Sequence, residues 1–269
     1  MTASDTKFAG SIPALYDRYL GPLIFEPYAV DLAGRVAGLS PGNVLETAAG
    51  TGIVTAELVK RLGPGATIVA TDLNPSMLEV AAKKLKAPNV SWQPADATAL
   101  PFADASFDVV ACQFGVMFFP DKVKAYREAY RVLQPGGRFI FNVWDRVELN
   151  EMAQTVHDAA AACFPENPPQ FFRRTPHGYY DVAAIRDALG QAGFGKVTAE
   201  HVAKRSRAGS HRDPAIGFCQ GTPLRSEIEA RDPKRLEAVT EAAAEALARR
   251  FGRGPIEGDI QAVVVVAER

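Results

Sequence analysis

Apolar positions along the first 150 residues switch between two spacings, one typical of strands and the other of amphipathic helices. Between the strands, the spacing predicts a helix over 50–62, a second that starts at Asn74 and Pro75, and a third that has Leu133 on its apolar face and ends before Pro135. Short apolar or β-branched runs predict five strands, at residues 44–47, 67–71, 90–93, 107–113 and 138–144. Strands that alternate with helices predict an α/β fold with a parallel, doubly wound sheet.

The second half of the chain has a looser pattern. It predicts a helix over 182–189, a strand over 196–202, two helices within 213–253 (the second over 236–250) and a last strand over 261–267. Gly190 and Gly193 would close the first of these helices. Segments 146–180 and 203–258 are long for connections inside a compact domain, and long segments of this kind are usually functional.

The composition is that of an ordinary globular protein, and it narrows the range of partners. Of 269 residues, 47% are hydrophobic, and 30 basic against 31 acidic side chains leave a formal net charge of −1. A protein that grips phosphate backbones is normally basic, so no nucleic-acid partner is expected. No apolar run approaches the roughly 20 residues of a membrane helix, and residues 1–10 lack the pattern of a secretory signal.

The cysteines give information about the cellular compartment. Cys112, Cys163 and Cys219 are odd in number and far apart, which fits neither a disulfide framework nor a clustered metal site. We therefore expect a cytoplasmic protein with reduced thiols and no metal. A homodimer is left open.

The residues that carry chemistry follow the predicted strands, at the edge where open α/β sheets bind ligands. The first strand runs into Glu46 and a stretch of small residues, in which Gly50 and Gly52 allow positive φ and a close approach of backbone to ligand. Asp72 ends the second strand, and its carboxylate can accept two hydrogen bonds from a ribose diol. Asp96 follows the third strand and can accept one from an exocyclic amine. Together these residues predict a nucleoside across the strand ends.

Two kinds of nucleoside ligand are compatible with such a site. A dinucleotide site has the pattern G-x-G-x-x-G, whereas here Ala48 takes the first glycine position and Ile53 the third. The carboxylate of Glu46 would also repel a pyrophosphate. S-adenosylmethionine has a ribose diol and a cationic amine but no phosphate, so it fits better. An NAD(P)-dependent oxidoreductase and a non-catalytic nucleoside-binding protein of the same fold are the alternatives.

Four segments, in order and at the usual spacing, resemble the motifs of class I S-adenosylmethionine-dependent methyltransferases. They are VLETAAGTG at 44–52, TDLNPSM at 71–77, ADA at 95–97 and FDVVACQFGVMFF at 107–119. Residues 16–29 are similar to the N-terminal helix of small-molecule methyltransferases of the ubiquinone/menaquinone biosynthesis type. The chain departs from the family at Ala48, where glycine is usual. The resemblance implies a seven-stranded, Rossmann-like, mostly parallel sheet whose last strand, 261–267, is antiparallel.

The resemblance also implies a role for each residue of the cofactor site. The loop that contains Glu46, Ala48, Gly50, Thr51 and Gly52 would line the methionine and ribose portion of S-adenosylmethionine. Asp72 would bind the ribose hydroxyls, Leu73 and Met77 would border the adenine, Asp96 would hold its amine, Ala97 would offer a backbone amide, and Gln113 and Phe114 would lie beside the methionine chain.

Methyl transfer from a sulfonium is an in-line displacement, for which alignment matters more than a base. Tyr16 is a candidate catalytic residue because an aromatic face near the sulfonium is favourable. His177, in a proline-rich loop, is a candidate base if its pKa is ordinary. Further candidates near the acceptor are Tyr19, Tyr179 and Tyr180.

Several basic residues suggest contacts with anions. Arg173, Arg174 and Arg225 are candidates to bind an anionic substrate through bidentate hydrogen bonds. The basic stretch 201–212 has no interleaved aromatic residues, which favours a solvated face over a nucleic-acid patch.

These observations predict three regions and one activity. An N-terminal helical segment, 1–40, would cover the cofactor, 41–145 would be the α/β core that binds it, and 146–269 would supply a helical cap over the acceptor together with the last two strands. The predicted activity is methyl transfer from S-adenosylmethionine to a small-molecule acceptor, with release of S-adenosylhomocysteine.

Overall fold

The computed structural model describes Asp5, Phe8 and residues 10–269. Its seven strands form one sheet in the order β3-β2-β1-β4-β5-β7-β6. The strands are β1 Asn43–Glu46, β2 Thr67–Asp72, β3 Val90–Pro94, β4 Phe107–Gln113, β5 Leu133–Trp144, β6 Lys196–Ala208 and β7 Ile256–Glu268. Neighbours among β1 to β5 pair in parallel, and β7 pairs with β5 in antiparallel orientation. This confirms the predicted fold class.

The helices alternate with the strands in the first half and cluster in the second. They are α1 Ile12–Leu15, a π-helical segment Tyr16–Phe25, α2 Glu26–Ala37, α3 Ile53–Leu62, α4 Pro75–Lys84, α5 Lys122–Val132, α6 Glu151–Ala162, α7 Phe171–Arg174, α8 Val182–Ala192, α9 Arg212–Gln220, α10 Leu224–Arg231 and α11 Leu236–Phe251. In the described part of the chain, no helix is both long and apolar enough to span a membrane.

The chain divides into two compact units. The sheet unit comprises Tyr28–Trp144, Tyr179–Val202 and Ala262–Arg269, and the helical unit comprises Met1–Pro27, Asp145–Gly178 and Ala203–Gln261. These limits differ from the predicted regions, because most of α2 and all of α8 belong with the sheet. Ala29, Leu32, Ala33 and Val36 of α2 are fully buried in the core formed by the first strands, since an apolar face of 3.6-residue period must pack against another element.

Several predicted elements have different limits in the structure: β5, β6, β7 and α8 are longer than predicted, and three further differences have local causes. Helix α3 starts at Ile53 rather than residue 50, because Gly50 and Gly52 adopt left-handed φ values of 58° and 79°. Leu133 lies in β5 and not on a helix face, since α5 ends at Val132 and Leu133 pairs with Phe107 of β4. The two helices predicted within 213–253 are three, α9 to α11, because Gly221 to Pro223 and Asp232 to Arg235 interrupt the helical hydrogen bonds.

Candidate functional site

The carboxyl ends of β1, β2 and β4 meet at one edge of the sheet unit, since these strands are parallel neighbours. They carry Glu46, Asp72 and Gln113, the side chains that the sequence placed at strand ends. The hydroxyl of Thr71 donates to the Glu46 carbonyl at 3.0 Å, and the Gly50 amide donates to Asp72 Oδ2 at 2.9 Å. The two acids and the small-residue loop are thus tied into one structure.

The loop between β1 and α3 has a left-handed backbone at every second residue. Ala48, Gly50 and Gly52 have φ values of 53°, 58° and 79°. A Cβ at Gly52 would lie 2.9 Å from Cη2 of Trp92, so both its conformation and its surroundings require glycine. The Thr51 hydroxyl is buried in this loop, and within the described residues it has no hydrogen-bond partner.

Ala48, the departure from the family pattern, is accommodated by Gly115. A Cβ on Gly115 would lie 2.4 Å from the Ala48 Cβ and 2.8 Å from Cys112 Sγ, so the alanine methyl occupies the space beside a second glycine. The cost of Ala48 is its left-handed φ, about 1–2 kcal/mol for a residue that has a Cβ.

We predict that Gly115→Ala lowers the free energy of unfolding by about 2 kcal/mol, because the new methyl overpacks the loop. The measurement is urea denaturation. The double variant with Ala48→Gly should recover part of the loss, since one of the two clashing methyl groups is then absent. Strictly additive effects would contradict this packing account.

Glu46 is a buried acid whose side chain accepts a hydrogen bond from a neutral hydroxyl. Its side chain is 1% exposed, and its Oε2 accepts a hydrogen bond from Thr55 Oγ1 at 2.7 Å. Burial, reinforced by the negative charge of Asp72, raises the pKa of Glu46 from 4.5 to about 8. At pH 7 the carboxyl is therefore mostly protonated, and a cation placed beside it would favour the ionised form.

Asp72 differs from Glu46 because backbone amides hold its carboxylate. Oδ2 accepts the Gly50 amide at 2.9 Å, and Oδ1 accepts the Asn74 amide at 2.8 Å. Burial raises the pKa of Asp72, while these hydrogen bonds act in the opposite direction. Asn74 precedes α4 as predicted, but its side chain does not cap that helix. Oδ1 also accepts the Asn74 side-chain amide at 3.4 Å, a long contact that a ribose hydroxyl can replace, and Oδ2 keeps a second lone pair for the other hydroxyl.

The residues expected around an adenine follow β2 and β3 or lie in the first turn of α4. Met77 is buried, and its Cε lies 3.6 Å from the position of a Cβ on Gly50, whereas Leu73 is 59% exposed. Asp96 is exposed and its Oδ1 accepts the Thr98 amide at 2.8 Å, which forms a turn that includes Ala97. This turn presents a carboxylate oxygen and half-buried backbone at the end of β3.

The segment that follows Asp96 is tied to α5. Arg131 donates from Nη2 to the Leu100 carbonyl at 2.9 Å and from Nη1 to the Phe102 carbonyl at 2.7 Å. The same guanidinium pairs with Glu128 and Asp104, each at 2.8 Å. Glu128 in turn accepts the Leu100 amide at 2.7 Å. The connection between β3 and β4 is therefore held at several points, although it has little regular structure.

An aromatic cluster beside Gln113 includes residues that the sequence analysis missed. Phe114 stacks on Trp144 at 3.7 Å between ring centroids, with 4° between the ring planes, and Tyr28 packs edge-on against both. Phe114 has a left-handed φ of 51°, and Asn142 Oδ1 accepts its amide hydrogen at 2.9 Å. A single Asn within the otherwise apolar run FIFNVW at 139–144 was the available signal for this polar anchor.

The two candidate catalytic residues, Tyr16 and His177, belong to the helical unit. Tyr16 stacks on Phe25 at 4.6 Å, which covers one face of its ring. His177 is buried, and its Nδ1 lies 2.7 Å from the Asp145 carbonyl oxygen. Burial lowers the pKa of His177 to about 4, so the expectation of an ordinary pKa is wrong and the ring is a weak base at pH 7. Their catalytic assignment stays a prediction.

The arginines considered for an anionic substrate are paired within the helical unit. Arg174 pairs with Asp5 and Glu227, each at 2.5 Å, while Arg173 pairs with Glu148 and Arg225 with Glu229. In the basic stretch 201–212, the three arginines also have acidic partners; these pairs are Arg205–Asp259, Arg207–Glu257 and Arg212–Glu241. These contacts favour the solvated-face interpretation of that stretch.

Residues 45–141 match the family model described as "Methyltransferase domain". This segment is similar to that methyltransferase-domain family. It contains every residue predicted to hold the cofactor, from Glu46 to Phe114, and it includes the departure at Ala48.

Curated relatives resemble the same part of the chain. The ubiquinone/menaquinone biosynthesis C-methyltransferase UbiE of Pectobacterium carotovorum is 40% identical over 121 residues, 44% of this chain and 48% of that protein. The demethylmenaquinone methyltransferase of Thermus thermophilus is 46% identical over 114 residues, 42% of this chain and 50% of that protein. The chain thus aligns with about half the length of the curated relatives it matches.

A solved structure extends the likeness of the methyltransferase domain to the fold of the whole chain. Phosphoethanolamine N-methyltransferase 2 of Haemonchus contortus, in complex with S-adenosyl-L-methionine, has a TM-score of 0.62 at 15% identity. The match covers 100% of this chain and 60% of that protein. At this identity the likeness concerns the fold alone.

Proposed function

We propose that the protein transfers a methyl group from S-adenosylmethionine to a small-molecule acceptor and releases S-adenosylhomocysteine. The observation that carries the proposal is the pair of acids, Glu46 and Asp72, on either side of a loop with three left-handed residues. An amine and a diol suit two acids, whereas a pyrophosphate does not.

The residues present fit this cofactor. The glycine loop allows close approach, and the buried Thr51 hydroxyl, which lacks a protein partner among the described residues, is available to a ligand. In this assignment Glu46 pairs with the ammonium, Asp72 accepts the ribose hydroxyls, Met77 and Leu73 border the adenine, and Asp96 accepts from its amine. When bound, the cofactor supplies an electrophilic methyl group on a sulfonium; the chain's task is to bind, align and exclude water.

The nature of the acceptor is inferred from the relatives and from the charges on the protein. The names of the curated relatives concern quinone biosynthesis, which supports a small molecule as acceptor here too. The ion-paired arginines in 201–212 and the formal net charge of −1 support our expectation that nucleic acid is not the substrate. We also retain the expectation of a cytoplasmic location.

The first test is titration calorimetry of the whole chain with S-adenosylmethionine, S-adenosylhomocysteine and NAD in parallel. We expect the first two to bind and NAD not to bind, because Ile53 stands where a dinucleotide site has its third glycine and because Glu46, once ionised, can pair with an ammonium but not with a pyrophosphate. Binding of NAD alone would overturn the proposal in favour of an oxidoreductase. Binding of S-adenosylmethionine without turnover on a panel of small acceptors would favour the non-catalytic alternative.

A further inference from the structure

A half-buried lysine lies in the sheet unit, outside the cofactor residues described above. Lys122 begins α5, nine residues after β4 ends at Gln113, so it lies at the same carboxyl edge of the sheet as Glu46 and Asp72. Its Nζ donates to the Phe119 carbonyl at 3.1 Å and lies 4.6 Å from the ring centroid of Tyr179.

Among the residues that the structure describes, the charge of Lys122 has no anionic partner. Of the carboxylates in the described residues, none lies within ion-pair distance of its Nζ, although most of the chain's arginines have such partners. Burial lowers the pKa of Lys122, and no carboxylate offsets this effect. A half-buried ammonium costs free energy unless it is paired. Of its three N–H groups one is used by Phe119, so two remain.

Tyr179 adds a second donor beside this ammonium. Its hydroxyl oxygen accepts a hydrogen bond from the fully buried Tyr126 at 3.3 Å. Because Tyr126 uses its only proton in this contact, the Tyr179 proton is left to point elsewhere. Tyr179 is only half-buried, so the proton can reach a ligand. An ammonium and a hydroxyl donor in one place form an arrangement that binds an oxyanion.

We propose that Lys122, with Tyr179, binds an oxyanion of the methyl acceptor. This inference rests on the proposed function, and it specifies that the acceptor carries an ionised oxygen, either a carboxylate or the conjugate base of an acidic hydroxyl. In the second case the ammonium also favours the ionised acceptor, which is the better nucleophile. Lys122 is thus assigned as an acceptor-binding residue.

The other titratable groups around Lys122 are few. Tyr126 lies on its own helix and Tyr179 precedes α8, which packs on α5. Asp121 precedes Lys122, and its carboxylate caps α5 by accepting the Lys124 amide at 2.9 Å. Cys112 is a buried neighbour of Tyr126. Lys124, two residues after Lys122 and exposed, offers a matched control on the same helix.

The test uses two probes, 4-nitrophenol and benzoate, with the full chain in the presence and in the absence of S-adenosylhomocysteine. Absorbance of the nitrophenolate reports both its binding and its ionisation, and calorimetry reports benzoate. We expect the protein to bind nitrophenolate, benzoate or both, and to shift the ionisation of bound nitrophenol to lower pH. Lys122→Gln should weaken binding by about 10- to 100-fold, Tyr179→Phe by a smaller factor, and Lys124→Gln should change nothing.

The two arms identify the oxyanion, since benzoate alone indicates a carboxylate and nitrophenolate alone an acidic hydroxyl. Binding of neither probe by a chain that binds S-adenosylhomocysteine would overturn the inference and leave the proposed function intact. Equal binding and equal probe ionisation in Lys122→Gln and the parent would overturn it as well. That result would show that Lys122 does not contact the oxyanion. Failure of S-adenosylhomocysteine to bind would instead count against the proposed function.

Discussion

At pH 7 the Glu46→Gln variant should be more stable than the parent, with a free energy of unfolding about 3 kcal/mol higher. The reason is that the Glu46 carboxyl is buried and accepts a hydrogen bond from Thr55, a neutral partner. Burial raises its pKa from the ordinary 4.5 to about 8 in the folded protein. Between these values the folded state retains a proton that the unfolded chain has lost, so the stability of the parent falls as the pH rises. Gln keeps the Thr55 contact and has no proton to lose.

The measurement is urea denaturation of both chains from pH 5 to pH 8. The difference between them should be small near pH 5 and grow by about 1.4 kcal/mol per pH unit until pH 8. Glu79→Gln, which removes an exposed carboxylate on α4, is the control and should follow the parent. A difference that does not change with pH would show that Glu46 is already ionised in the ligand-free protein.

In calorimetry at pH 7, binding of S-adenosylmethionine to the parent should release close to one proton, because the ammonium favours the ionised form of Glu46. Binding to Glu46→Gln should release none.

Asp72→Ala should lower the affinity for S-adenosylmethionine and S-adenosylhomocysteine by about 100-fold or more, because two hydrogen bonds to a charged group are lost together. The structure adds a second cause, since Asp72 also holds the Gly50 amide at 2.9 Å. Calorimetry gives the affinity, and circular dichroism shows whether the variant is folded. Unchanged affinity in a folded variant would remove Asp72 from the proposed site.

A matched control separates a change at the proposed site from a general loss of stability. Asp108, at the start of β4, accepts the Gly42 and Asn43 amides at 2.8 Å each, which is the same kind of backbone contact at the opposite edge of the sheet. Asp108→Ala should therefore lose comparable stability but keep the affinity for both nucleosides. If it weakens binding as much as Asp72→Ala, the loss reflects a general loss of stability rather than a change at the proposed site.

The strands could be predicted from the sequence because each buried strand is an apolar run, and the order of chemistry-bearing residues at their ends indicated the site. The start of α3 was misplaced because the apolar positions Val54 and Leu58 indicate a helix but do not fix its first residue, and the left-handed glycines at 50 and 52 keep the helix from starting earlier. Leu133 fits a helical face by spacing, yet it lies in β5 because it pairs with Phe107 of β4. Pattern gives periodicity but not the register of distant partners.

The electrostatic state of the site could not be predicted from residue types. His177 stands in a proline-rich loop, and its sequence neighbours do not show that the fold buries it and lowers its pKa to about 4. The same holds for Arg174, whose partners Asp5 and Glu227 are 169 and 53 positions away in the chain. Burial and pairing depend on contacts between distant segments, and these carry no local signal.

Arg131 lowers the entropic cost of binding at one end of the candidate site. Because it fixes the Leu100 and Phe102 carbonyls and pairs with Glu128 and Asp104, the connection that follows the Asp96 turn is already ordered before any ligand arrives. A nucleoside base bound there would have little chain to immobilise, so this end of the site would contribute affinity without an entropic penalty for loop ordering. Recognition of the base would then resemble lock-and-key docking, with small rearrangement of the backbone.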